Sequence, residues 1–251
     1  MTKILLCGSG GRMGRAITRL VSETDKAEII CGVDLNTEPT ADFPVYAHFN
    51  EVTETPDVII DFSNPANFEN LMDYAESKKI PVVVATTGLT KEQKDRLQTA
   101  SATIPVFFSA NMSLGVNLIC ELAKKATAFL GDSFDIEIIE RHHNQKLDAP
   151  SGTALAIADA INEELEGTGH YVYDRHSVRK KRDKNEIGIH AVRGGTIVGE
   201  HTVIFAGENE VIELHHSASS REVFASGAVK AAIFMAGKPA GFYNMKSLID
   251  G

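Results

Sequence analysis

The sequence predicts an α/β fold in two parts, a helix-covered parallel sheet and a smaller α+β part with an open mixed sheet. Three observations carry that expectation. Up to about residue 108, short apolar runs alternate with stretches of helical periodicity, as the strand–helix–strand units of a parallel sheet do. Beyond residue 186, three strand-like runs follow one another with no helix between them. The 251 residues allow one large domain or two modest ones, at about 100–200 residues each.

Taken in order, Lys3–Cys7 is an apolar run ending in glycines, and about Met13 to Ser22 is helical. Glu28–Asp34 and Asp57–Asp61 read as buried strands, and Phe68–Lys79 as a helix with Leu71, Met72 and Ala75 on one face. Pro81–Ala85 is strand-like, Lys91–Ala100 a surface helix, and Pro105–Phe108 closes the series. The pattern then changes. Leu114–Leu130 predicts a long helix, Phe134–Glu140 an alternating strand and Thr153–Leu165 a helix. Ile187–Val192, Ile197–Phe205 and Val211–His216 are the consecutive strands, and Val223–Ala236 is a final apolar helix. A boundary is expected near 109–114, with a return crossing near 218–222.

Composition excludes several classes. The formal charge of -9 leaves no global basic field, so nucleic acid is not an expected partner. The basic stretch Arg175–Lys184 has no interleaved aromatics and reads as a solvated loop. No run approaches the ~18 apolar residues of a membrane span. Cys7, Cys31 and Cys120 are odd in number and far apart, which suits a reducing cytoplasm better than a disulfide framework or a zinc site.

After the first strand comes Gly8-Ser9-Gly10-Gly11-Arg12-Met13-Gly14, spaced G-x-x-G-x-x-G. Glycines there let the backbone turn sharply, approach a pyrophosphate and pack the next helix on the strand, whose N-terminus faces the phosphates. Alone the motif is weak, since a tight turn without a ligand needs the same residues. Asp34, ending the second strand twenty positions after Gly14, is placed for ribose hydroxyls and makes dinucleotide binding the stronger reading. Asp61–Pro65, Ala85–Gly88 and Ser109–Ser113 each follow a strand, at the end where such sheets hold ligands.

The densest chemistry lies in Glu140–Thr153. It carries His142, His143 and Lys146, then Pro150-Ser151-Gly152-Thr153 at a helix start. Ser151 is a credible N-cap. The free N–H groups there, with the Thr153 hydroxyl, could grip a carboxylate. Lys146 adds a point charge and a transferable proton, and a histidine suits acid–base work near neutrality. Adjacent histidines on an extended segment point to opposite sides, which argues against a shared metal, and none is expected. A capped helix after a surface loop is the competing reading; the pair His215-His216 reads as structural.

These residues resemble those of the 4-hydroxy-tetrahydrodipicolinate reductase (dihydrodipicolinate reductase) family, over essentially the whole chain. The likeness rests on Gly8–Gly14, Asp61–Pro65, Ala85–Gly88, Ser109–Ser113, Val192–Gly195, Val198–His201 and Ala218–Arg221, and above all on the specific run from His142-His143 through Lys146 to Asp148–Thr153. The resemblance implies a Rossmann-like dinucleotide-binding domain, 1–113 with 222–251, closed by the chain's last helix. It implies a substrate-binding and oligomerisation domain, 114–221, that builds a homotetramer. The implied reaction is reduction of 4-hydroxy-tetrahydrodipicolinate to tetrahydrodipicolinate with loss of water, by NADH or NADPH, in lysine (diaminopimelate) biosynthesis. By motif position His142 would be the acid/base residue and Lys146 the proton donor. His143, Ser151, Gly152 and Thr153 would contact substrate. Gly8, Ser9, Gly10, Gly11, Arg12, Met13, Asp34, Ala85, Thr86, Thr87, Ala110, Asn111, Met112 and Ser113 would line the cofactor. The chain departs from many members at Leu35, Ala85 and Gln145, where arginine, glycine and histidine are usual. Two other classes stay open at this stage: an oxidoreductase of related architecture acting on another substrate, and a non-catalytic dinucleotide sensor.

Overall fold

The computed structural model describes residues 1–39 and 41–251, which divide into two compact units, 1–114 with 222–251, and 115–221.

The first unit opens with β1 (Thr2–Cys7), α1 (Arg12–Ser22), β2 (Ala27–Val33), β3 (Val45–Tyr46) and β4 (Val58–Asp61). It continues with α2 (Phe68–Lys78), β5 (Val82–Val84), α3 (Lys91–Ala100) and β6 (Pro105–Phe108). After the second unit the chain returns as α6 (Glu222–Met235), β12 (Gly241–Tyr243) and α7 (Met245–Asp250). The sheet order is β12-β6-β5-β4-β1-β2-β3, and every pairing is parallel.

Strands in such a sheet are buried on both faces, which is why they read as continuous apolar runs. Alternate residues serve opposite cores. Leu5, Ile59, Val82 and Val84 pack with Phe68, Leu71, Met72 and Leu97. Ile4, Leu6, Ile60 and Val83 pack with Ile17, Val21 and the small face of α6, Ala225, Ala228 and Ala232. That face must stay small: a Cβ on Gly227 would lie 1.7 Å from the Met112 carbonyl oxygen. Each fully buried side chain of the size of Phe107 contributes about 1.5–3 kcal/mol.

The second unit holds α4 (Leu114–Leu130, from its second residue), β7 (Asp135–His142), α5 (Gly152–Glu164), β8 (His170–Val172), β9 (Glu186–Arg193), β10 (Gly199–Ala206) and β11 (Val211–Ala218). Its sheet runs β11-β10-β7-β9-β8, antiparallel across the first three strands and parallel across the last three. Ile136, Ile138, Ile187, Ile189, Val203 and Phe205 bury one face against Ile119 and Ala123 of α4 and Ile157 and Ile161 of α5.

Three short strands, β3, β8 and β12, have no counterpart in the sequence reading. Two or three residues are too few for a period. The apolar helix α6 is not the chain's last, because β12 adds to the sheet edge beside β6 and α7 follows it. The strand expected to end at Glu140 runs on to His142, its alternation hidden by the polar Arg141-His142. The basic stretch 175–184 is not merely solvated. The Arg182 guanidinium donates to the Ile136 carbonyl at 2.9 Å and pairs with Asp135 and Glu137, while Arg175 pairs with Glu137 and Glu186. Among the described residues, no helix is long and apolar enough to cross a membrane.

Candidate functional site

In the first unit the glycine turn is dictated by close approaches. Gly8 has φ +78°, and a Cβ there would lie 2.6 Å from the Phe62 carbonyl oxygen; one on Gly14 would lie 2.2 Å from that of Gly8. Gly11 is the N-cap of α1 and offers no side chain to cap it, so the first N–H groups of the helix are left for an anion. The Ser9 hydroxyl is buried with no hydrogen-bond partner. Asp34 accepts from the Gly10 N–H at 2.9 Å through one oxygen and from the Asn36 N–H at 3.2 Å through the other, which ties the acidic residue to the turn. A bare helix start, an orphaned hydroxyl and a carboxylate beside them fit a dinucleotide.

The ends of β4, β5 and β6 continue that edge. Asp61 is buried, and burial pushes its carboxyl above the ordinary range despite bonds from the Ser63 hydroxyl and N–H. Thr86, Thr87, Ser109 and Ala110 line one recess of about 210 Å³. Asn111 organises its own loop, its side-chain oxygen accepting from the Ser113 N–H at 2.9 Å. Ala85 and Met112 turn their side chains into the core, so only their backbone is available to a ligand, and Met13 packs against the same core while partly exposed. Arg12 is exposed at the helix start.

In the second unit two carboxylates gather the chemistry. Glu140 is fully buried on β7 and takes four donors: His142 Nδ1 at 2.6 Å, the Ser151 N–H at 2.9 Å and both terminal nitrogens of Arg193 at 2.7 Å. Burial pushes its carboxyl up, but Arg193, His142 and the Ser151 N–H outweigh it and hold it below the ordinary value. Asp148 is the other. It accepts from the Lys146 ammonium at 2.8 Å, which holds its carboxyl below the usual range. Arg193 also donates to the Asp148 carbonyl at 2.7 Å, so one guanidinium ties the two groups together.

The Ser151 hydroxyl caps α5, accepting from the Ala154 N–H at 3.1 Å, and lies 3.2 Å from His201 Nε2. His201 meets His142 edge to face, with ring centroids 5.2 Å apart, and burial pulls it down to about 4. His143 and Thr153 are half-buried on the same segment. His215 is tied to the Thr202 hydroxyl at 2.9 Å, as a structural residue would be.

Glu140, Arg193 and His201 were given no role by sequence reasoning. The available signal was the Glu140–His142 spacing, because residues two apart on a strand share a face. Elsewhere His170, Asp183 and Glu186 bring donor atoms within 4.8 Å of one another, but Lys180 pairs with both carboxylates and Arg175 with Glu186.

A parallel sheet with a glycine turn and an acidic residue ending its second strand, joined in one chain to an imidazole–ammonium cluster at a helix start, defines an NAD(P)H-dependent oxidoreductase. Residues 2–112 match the family "Dihydrodipicolinate reductase, N-terminus" and residues 115–249 match "Dihydrodipicolinate reductase, C-terminus". The chain belongs to the dihydrodipicolinate reductase family. It is 54% identical to the 4-hydroxy-tetrahydrodipicolinate reductase of Caldanaerobacter subterraneus subsp. tengcongensis, over 99% of this chain and 98% of that one. It is 49% identical to that of Clostridium tetani, over 100% and 98%. Among solved structures, the dipicolinate-bound dihydrodipicolinate reductase from Paenisporosarcina sp. TG-14 gives a TM-score of 0.80 at 27% identity, over 97% of each chain. The myo-inositol dehydrogenase from Lactobacillus casei, at 16% identity and a TM-score of 0.60 over 99% of this chain and 90% of that one, shares the fold alone.

Proposed function

We propose that this chain reduces 4-hydroxy-tetrahydrodipicolinate to tetrahydrodipicolinate with loss of water, the lysine (diaminopimelate) pathway reaction for which its relatives are named. One observation carries the reading: the Lys146 ammonium already holds a carboxylate, that of Asp148, at 2.8 Å. That ammonium suits a substrate carboxylate, with His143, Ser151, Gly152 and Thr153 on the same segment. A bound NADH or NADPH supplies the hydride. Gly8 to Met13 with Asp34 hold its adenosine and phosphates, and Ala85 to Thr87 with Ala110 to Ser113 line its remaining path. Lys146 delivers a proton where negative charge develops in the substrate, and His142 gives or takes one as water leaves. Proton transfer of this kind is worth about 10²–10⁴ in rate.

The segments 1–113 with 222–251 serve the dinucleotide, and 114–221 serves substrate and assembly. Leu118, Leu122 and Phe129 lie exposed along α4, an apolar stripe that supports a homotetramer. Three unpaired thiols support a cytoplasmic setting. Three of the six cations of 175–184, Arg175, Lys180 and Arg182, pair with acidic side chains, and with the net charge of -9 this favours a reading without nucleic acid.

The test is inhibition of the coupled reaction, run with aspartate semialdehyde, pyruvate and the upstream synthase. Pyridine-2,6-dicarboxylate should compete with substrate, lose potency at high salt, and outdo the monocarboxylate pyridine-2-carboxylate. Equal potency of the two compounds, or competition with the nicotinamide alone, would refute the carboxylate grip.

A further inference from the structure

We infer that Glu140 is a positioning residue that fixes His142 in one tautomer, with Nδ1 protonated and Nε2 bare, and locks that ring to the start of α5. The inference rests on the catalytic reading of His142 and deepens it. A carboxylate with no exposed surface, held by a bidentate guanidinium, can only accept hydrogen bonds. The 2.6 Å contact therefore places the ring proton on Nδ1. The other oxygen of the same carboxylate takes the Ser151 N–H, so ring and helix start share one anchor. Arg193 is the counter-charge, and its bond to the Asp148 carbonyl extends the anchor to the loop that carries Lys146.

The opposite end of the ring has been kept open. A Cβ on Gly199 would lie 3.1 Å from His142 Nε2, so glycine at this buried position on β10 keeps side-chain atoms off the bare nitrogen. Glu140 and Gly199 thus act on the two nitrogens of one ring. The first sets the proton, and the second leaves room for the transfer.

The first test needs no variant. Nitrogen-15 shifts of the His142 ring, measured in the intact protein at a pH where the ring is neutral, should show Nδ1–H and bare Nε2. An Nε2–H ring would overturn the inference. Glu140→Gln then reverses the signal for a stated reason. The Ser151 N–H can only donate, so the glutamine oxygen stays on that side. Its NH₂ faces both His142 Nδ1 and Arg193 Nη1, so it drives the ring proton to Nε2 and releases one arm of the guanidinium clamp. Turnover should fall about 10²-fold, and the loss should not add to that of His142→Ala, because both act through one ring. Gly199→Ala leaves Glu140 intact. It should keep the Nδ1–H signature and NADH affinity while slowing turnover. If His142→Ala is slow but Glu140→Gln matches wild type, this inference alone fails. If His142→Ala also matches wild type, the catalytic reading fails with it.

Discussion

The two candidate sites are made of different material. In the first unit the candidate ligand-facing atoms are backbone N–H groups at the uncapped start of α1, beside a glycine turn whose missing side chains permit close approach; in the second they are imidazoles, an ammonium and a guanidinium bound to two carboxylates. A backbone site is broken by adding atoms and a side-chain site by removing them. The first recognises what its fixed geometry admits, the dinucleotide of a whole class of enzymes. The second is specific because its side chains are held in fixed directions by their partners.

The largest effect that separates the two is on turnover. Lys146→Ala and His142→Ala should each lower kcat by about 10²-fold or more, while NADH affinity, measured by fluorescence titration, stays at the wild-type value. A fall in affinity matching the fall in turnover would show that the division of labour is wrong.

Acid should act on the two units with opposite sign. His201 has its folded value pulled to about 4, against 6.5 unperturbed, by burial first. The unfolded chain then binds the extra proton between those values. Stability from this group is complete above 6.5 and is lost as pH falls toward 4, by up to about 3 kcal/mol. Asp61 runs the other way. Burial raises its carboxyl, so its contribution is complete below the ordinary carboxyl range and is lost as pH rises through the folded value. Urea midpoints across pH should lose their acid-side slope in His201→Gln and the opposing slope in Asp61→Asn. Unchanged slopes in both variants would remove the contrast.

Next in size is the added atom. Gly14→Ala puts a Cβ 2.2 Å from the Gly8 carbonyl oxygen, in a buried turn that cannot give way cheaply. The expected cost is about 1–3 kcal/mol in stability, together with weaker NADH binding, read by thermal melting with and without the nucleotide. Normal NADH affinity in this variant would mean the turn is not the phosphate cradle.

The smallest expected effect is the choice of nucleotide. Asp34 accepts from ribose hydroxyls and repels a 2′-phosphate, and the neighbouring Leu35 is almost fully exposed and uncharged. NADH should be used at least as well as NADPH in side-by-side kinetics. A strong NADPH preference would place a cation, with Arg12 the nearest candidate on the turn, in control of the site.

What could be read from the chain follows the same division. The parallel sheet was legible because burial on both faces leaves uninterrupted apolar runs at Leu5, Ile59 and Val83, and the glycine turn because nothing but glycine satisfies Gly8 and Gly14. The strands β3, β8 and β12 were not, because an edge strand of two or three residues is specified by the neighbour it pairs with. The run from His142 to Thr153 announced acid–base chemistry by residue type. Its organiser did not, since Glu140 looks like any strand glutamate until Arg193, fifty-three residues on, closes over it. Arg182 was hidden likewise: a guanidinium in a polar loop shows its charge in the sequence but not the Ile136 carbonyl it reaches.

The interrupted path of the chain has a consequence for synthesis. Residues 115–221 leave the ribosome with every strand of their own sheet, whereas the older unit, though begun at residue 2, still lacks α6 and its edge strand β12. Until residue 235 has emerged, Ile4, Leu6, Ile60 and Val83 have no α6 against their face of the sheet. The part started first is finished last. The nascent dinucleotide fold must therefore wait with one apolar face open, and that interval is where a holding chaperone has most to shield.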